Sequence, residues 1–161
     1  MPELASAPSL FQPPGVQQAA PAIRRGALRL LHGLGFAAVA ELPLGSGRRA
    51  DLVAIGSGAE IWIVEVKSSL ADFRADRKWQ EYRLHCDRLI FAVAPEFPAN
   101  VLPAAAGLMI ADAYGGVLVR EGDCHPIAAA RRKALIVRIA RAAAARLAAL
   151  HDPGLSEPAM P

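Results

Sequence analysis

Cysteine is nearly absent from this chain: its 161 residues include only Cys86 and Cys124, in no CxxC or Cys/His ligand spacing. That excludes a disulfide scaffold and a structural zinc site, fits a reduced thiol state, and leaves packing or surface roles for both thiols. No uninterrupted apolar run reaches the ~18 residues of a membrane span. The segment Met1 to Gly15, with four prolines, lacks the charged start and continuous apolar block of a secretory signal. The expectation is a cytoplasmic protein with no membrane contact. None of the four histidines stands in a ligand spacing, so all are read as non-catalytic. Acidic residues are missing from Val16 to Gly35 and again from Ile127 to Leu150. The second gap holds Arg131, Arg132, Lys133, Arg138, Arg141 and Arg146, a one-signed surface that attracts polyanions although the formal net charge is only +3.

Apolar residues make up 53% of the chain, enough for the core of one domain. Residues 1–16 read as a flexible lead-in, 17–150 as a single domain and 151–161 as a tail. A helix is expected from Val16 to Leu34, with Ile23, Ala27, Leu30, Leu31 and Leu34 on one face and Pro21 tolerable only near its first turn. Strands follow at Phe36 to Leu42, Ala50 to Ile55 and Ile61 to Val66. Gly56-Ser57-Gly58 joins the last two as an antiparallel hairpin. Ser69 caps a helix running to about Leu84, with Asp72 three positions on. Asp87 to Ala94 reads as a central strand, and Leu108 to Ala111 and Val117 to Arg120 as two more. Ile127 to Leu150 is the last helix, with Leu135, Ile136, Ile139, Leu147 and Leu150 in one arc. The order implies an α/β fold, a mixed β-sheet flanked by helices.

Charge inside the hairpin needs a reason. Asp51 lies in one strand and Glu65 and Lys67 in the apolar run Ile61-Trp62-Ile63-Val64-Glu65-Val66-Lys67, where an unpaired ion is costly. If the chain turns near Gly58, Asp51 faces Glu65, and the β-carbons are ~5–8 Å apart in this register or one shifted by two. Carboxylates that close repel unless a cation lies between them, and hard oxygen ligands suit Mg²⁺ or Mn²⁺. Asp51, Glu65 and the backbone carbonyl of Val66 are therefore candidate metal ligands. Lys67 can orient a water or stabilise charge on a phosphate, so Asp51, Glu65 and Lys67 form a candidate catalytic set for phosphodiester hydrolysis. The competing reading makes Asp51 a turn residue and Glu65 with Lys67 a surface ion pair.

The pattern of Asp51, a turn, and Glu65-Val66-Lys67 resembles the PD-(D/E)XK nuclease superfamily, with Ala50 in place of the proline. The order of elements from Val16 to Val93 looks like the superfamily's restriction-endonuclease-like core. A closer resemblance is to the MmcB-type DNA repair proteins. It is carried by Glu41 to Asp51, Ile63 to Ser69, Asp72 to Trp79, Tyr82, Cys86-Asp87-Arg88, Phe91 to Val93 and Gly107 to Ala113. It implies a DNA repair role and the nuclease fold. Many such nucleases take a further acidic ligand from the first helix; this chain has none there, and Glu41 is the nearest replacement, or else a strand-end glutamate paired with Arg48 or Arg49. Gln80 and Tyr82, on the helix after the catalytic strand, are additional site candidates. Asp72 and Asp76 read more simply as helix-surface or capping residues. Arg48, Arg49, Lys78, Arg131, Arg132 and Arg138 are candidate DNA contacts. The partners expected are DNA, a repair protein, or a second copy packed on the last helix. The alternative to a nuclease is an inactive DNA- or partner-binding module of the same fold.

Overall fold

The computed structural model describes residues 16–155, so the expected lead-in and most of the tail lie outside the described residues. Helix α1 (Val16–Gly33) is followed by β1 (Ala37–Pro43), β2 (Arg49–Ile55), β3 (Ile61–Lys67) and α2 (Leu70–Ala75). After a 3-10 helix (Trp79–His85) come β4 (Arg88–Val93), a short 3-10 turn (Ala99–Val101), β5 (Gly107–Ala111), β6 (Gly116–Arg120) and α3 (Ala129–His151). The six strands form one sheet in sequence order, β1 to β6. Pairs β1–β2, β2–β3 and β5–β6 are antiparallel, while β3–β4 and β4–β5 are parallel. The expected mixed sheet flanked by helices is present, and it is compatible with a restriction-endonuclease-like fold.

The two faces of the sheet bury different sets. On one, Ile23, Ala27 and Leu31 of α1 pack with Leu52, Val64, Ile90 and Met109. On the other, Leu135, Ile139 and Ala142 of α3 pack with Val53, Ile61, Ile63, Leu89 and Tyr82. β3 is buried along its whole length, which explains its unbroken apolar spelling and makes Glu65 and Lys67 charges within a core strand. Phe91 receives the rings of Phe73 and Trp79 edge-on, each at 5.5 Å.

Three expectations need correction. The helix after Ser69 is not continuous to Leu84; it ends at Ala75, because the Asp76 carboxylate takes the Lys78 backbone N–H and the Lys67 ammonium in place of a helical course. Leu147 and Leu150 do not belong to the buried arc of α3, being 57% and 81% exposed, and Ala142 packs there instead. Pro21 falls at the sixth residue of α1, past the first turn, where its ring removes one helical hydrogen bond.

Candidate functional site

Three carboxylates stand on one row across β1, β2 and β3. Ala40 faces Leu52 and Leu42 faces Ala50, so Glu41 is level with Asp51. Leu52 faces Val64, the register expected from a turn at Gly58, so Asp51 is level with Glu65. The β2–β3 ladder stops at Leu52–Val64, and side chains continue it. The Val66 N–H donates to Asp51 Oδ2 at 2.8 Å, and the Asp51 N–H donates to Glu65 Oε1 at 3.2 Å. Each carboxylate is thus pinned by the other's strand. Asp51, Glu65, Val66 and Lys67 line a cavity of about 330 Å³ together with Arg24, Glu41, Arg49, Asp72 and Tyr82.

Burial and crowding set the protonation here. Glu65 is 4% exposed. Its burial, reinforced by the Asp51 charge, pushes the carboxyl up to about 8 despite the Asp51 N–H and Lys67. Asp51 is also raised, by burial, against the opposing pull of the Val66 N–H and Lys67. Lys67 donates to Asp76 Oδ2 at 2.7 Å. Burial raises the Asp76 carboxyl, but the Lys67 ammonium outweighs it and holds the group below its usual range.

The remaining candidates divide. Tyr82 reaches the cavity, donates to the Arg49 carbonyl at 3.0 Å, and is pushed up to about 12 by burial and the Glu65 charge. Gln80 and Lys78 are exposed and outside the cavity lining, since the break at Asp76 redirects the segment. Arg48 bonds Glu81 at 2.7 Å and lies over the Tyr82 ring. Arg49 bonds Glu41 at 2.6 Å, one of the two pairings expected for that glutamate. Asp72 lines the cavity and also accepts from the Ser68 N–H and hydroxyl, while Ser69 Oγ caps α2 through the Asp72 N–H. Arg131 donates to the Leu84 carbonyl and Arg138 to that of Pro43.

Arg132 is far from this cavity. Its guanidinium is bidentate on Asp87, at 2.6 and 2.7 Å, and also reaches the Ala59 carbonyl, so it ties α3 to the start of β3. Both groups line a larger cavity, about 700 Å³, at the opposite end of β3. There Asp87 pairs with Arg132 and Arg88 with Glu121, and Glu60 also lines the wall. In the smaller cavity Asp51 and Glu65 lie side by side, joined through backbone N–H groups and not through an ion pair. Sequence reasoning missed Arg24 altogether and gave Asp76 a helix-surface role; the only local signal for Asp76 was a buried lysine in need of a counter-ion. Among the described residues, no three His, Cys, Asp or Glu side chains converge as a ready metal cage. The residues present fit a cation held by two carboxylates and completed by water and a carbonyl.

The chain is similar to a solved structure described as the SPO1766 protein of unknown function from Silicibacter pomeroyi. The two share 46% identity over 90% of this chain and 95% of the other, with a TM-score of 0.80. No curated protein matches the chain. The family model "DNA repair protein MmcB-like" matches residues 12–154. The chain therefore belongs to the MmcB-like family of DNA repair proteins.

Proposed function

We propose that this protein is a divalent-cation-dependent nuclease of the PD-(D/E)XK type that hydrolyses phosphodiester bonds in DNA during repair. The observation that carries the reading is the Asp51–Glu65 pair, a half-buried and a buried carboxylate fixed side by side by reciprocal hydrogen bonds where β2 meets the core strand β3. Asp51, Glu65 and the Val66 carbonyl would hold Mg²⁺ or Mn²⁺. Such an ion supplies Lewis-acid stabilisation of a phosphodiester and a more acidic water. Lys67, steadied by Asp76, presents a positive charge to the same cavity, where charge grows on the phosphate in the transition state. Arg49, about two-thirds exposed at the cavity, meets the DNA backbone.

The test is incubation with Mg²⁺ or Mn²⁺ and nicked, branched, flapped and single-stranded DNA. Cleavage is expected, and it should vanish in Asp51→Ala and Lys67→Ala. Absence of any cleavage dependent on these residues would sink the enzyme reading.

A second reading is a DNA- or partner-binding module of the same fold. It is favoured by the Lys67–Asp76 pair, which already engages the ammonium, and by the lack, among the described residues, of three His, Cys, Asp or Glu side chains placed to hold a metal ion. In that case Lys67→Ala keeps salt-sensitive DNA affinity, while neutralising Arg131, Lys133 and Arg141 on the exposed side of α3 flattens the salt dependence.

A further inference from the structure

Glu41 is held in a manner unlike the other carboxylates of the cavity. Its Oε1 takes Arg24 Nη1 at 2.8 Å and its Oε2 takes Arg49 Nε at 2.6 Å, so one carboxylate bridges two guanidiniums from different elements. All three side chains line the cavity beside Asp51 and Glu65. The backbone is arranged for this. Glu41 has φ 52°, the left-handed region that a side chain with a Cβ rarely adopts, and no ladder pair forms between Glu41 and Asp51. The carbonyls freed there are taken by Arg146 of α3, which donates to both Ala40 and Glu41. Strand β1 thereby misses one ladder pair while keeping its register on either side, and the residue at that gap feeds an anion between two arginines.

A carboxylate bridging two guanidiniums uses the donor geometry that also receives two oxygens of a phosphoryl group. The geometry points to a phosphoryl subsite formed by Arg24 and Arg49, in which Glu41 holds the place that a DNA phosphoryl group takes on binding. The assignment rests on the reading that this cavity receives DNA. Arg49 is exposed enough to follow an incoming group, and Arg24, on the packed helix α1, supplies the fixed half. Displaced from the pair, the Glu41 carboxylate returns to water, to which it is already one-third open. The phosphoryl group is either a strand-terminal monoester or an internal diester; both present two oxygens to such a pair.

The experiment measures binding of the full chain to short single-stranded DNA in EDTA, so cation binding plays no part. The DNA carries either a 5′-phosphate or a 5′-hydroxyl. Arg24→Ala and Arg49→Ala are expected to weaken binding on the order of tenfold each, as for one charge-assisted hydrogen bond. Glu41→Gln is expected to tighten it by a similar factor, because the competing anion is gone. Glu41→Gly, which suits the left-handed backbone, should tighten it too and guards against misfolding of the Gln variant. Glu121→Gln, the loss of one negative charge at the opposite end of β3, controls for net charge and should change little. A gain confined to 5′-phosphorylated DNA identifies a terminal monoester, and an equal gain on both DNAs an internal diester. If Glu41→Gln and Glu41→Gly bind no more tightly than Glu121→Gln, the bridge is a structural strut and the proposal is overturned. That result leaves the cation reading to its own cleavage test.

Discussion

At the scale of single residues, the candidate site is defined by groups kept in uncomfortable protonation states. The folded protein holds the Glu65 proton up to about 8, against an ordinary value near 4.3 when unfolded. Between those limits the folded state binds the extra proton. Its contribution to stability is therefore full below the unfolded value and is lost as pH rises through the folded one. Without divalent cations, the melting temperature should decline from pH 5 to pH 9, and Glu65→Gln should flatten that decline. An unchanged slope in the variant would mean that Glu65 is ionised throughout. At pH 8, millimolar Mg²⁺ should raise the melting temperature of the wild type and not of Asp51→Asn, because a cation replaces the proton. The Lys67–Asp76 pair gives a different signal. Lys67 is almost fully enclosed, at 6% side-chain exposure, so Asp76→Ala leaves a buried ammonium without a partner. A loss of about 3 kcal/mol is expected in urea denaturation.

At the scale of elements, Gly26 decides how closely α1 can lie on the sheet. A Cβ there would collide with the carbonyl oxygens of Asp112 and Gly115, in the turn that Arg29 also grips through the Tyr114 carbonyl. These are backbone atoms, which cannot swing aside. Gly26→Ala should cost about 1–3 kcal/mol, visible as a lowered melting temperature. Elements of this kind were legible in the sequence where short-range rules govern them. The β2–β3 register followed from the position of Gly56-Ser57-Gly58, and the row Asp51–Glu65 followed from the register. What the sequence could not display was set by distant partners. The break of α2 at Asp76 depends on a lysine nine residues upstream, buried on another element. The inward face of α3 is set by which arc of the helix meets the sheet: Ala142 shares the arc of Leu135, Ile139 and Arg146 and is covered, while Leu147 falls outside it and is not. Arg24 carries no local mark of its role, since its partner Glu41 is reached only by folding.

At the scale of the whole molecule, Asp87 acts as a junction. Its carboxylate accepts from the Ile61 and Ile127 N–H groups as well as from Arg132, joining the start of β3, the approach to α3 and α3 itself. Burial pushes this carboxyl up, but Arg132 and the two backbone donors outweigh it and hold it below the ordinary range. A depressed folded value gives stability that is present above about pH 4 and lost as pH falls through the folded value. Acid unfolding of the wild type should therefore be steep in that window. In Asp87→Asn the protein should be less stable at pH 7 and lose less on acidification; parallel acid curves would remove Asp87 from this role.

The long-range ties of α3 also bear on the order in which the molecule is completed during synthesis. Each strand pairs with the one made just before it, so the sheet can assemble as the chain emerges. The bend at Glu41 is different, because its carbonyls wait for Arg146, a residue translated more than a hundred positions later. A ribosome-bound chain can thus own all six strands and still lack a finished rim on its charged cavity. The final helix serves as a late fastener, and the cavity acquires its anion-handling shape only after the rest of the fold is in place.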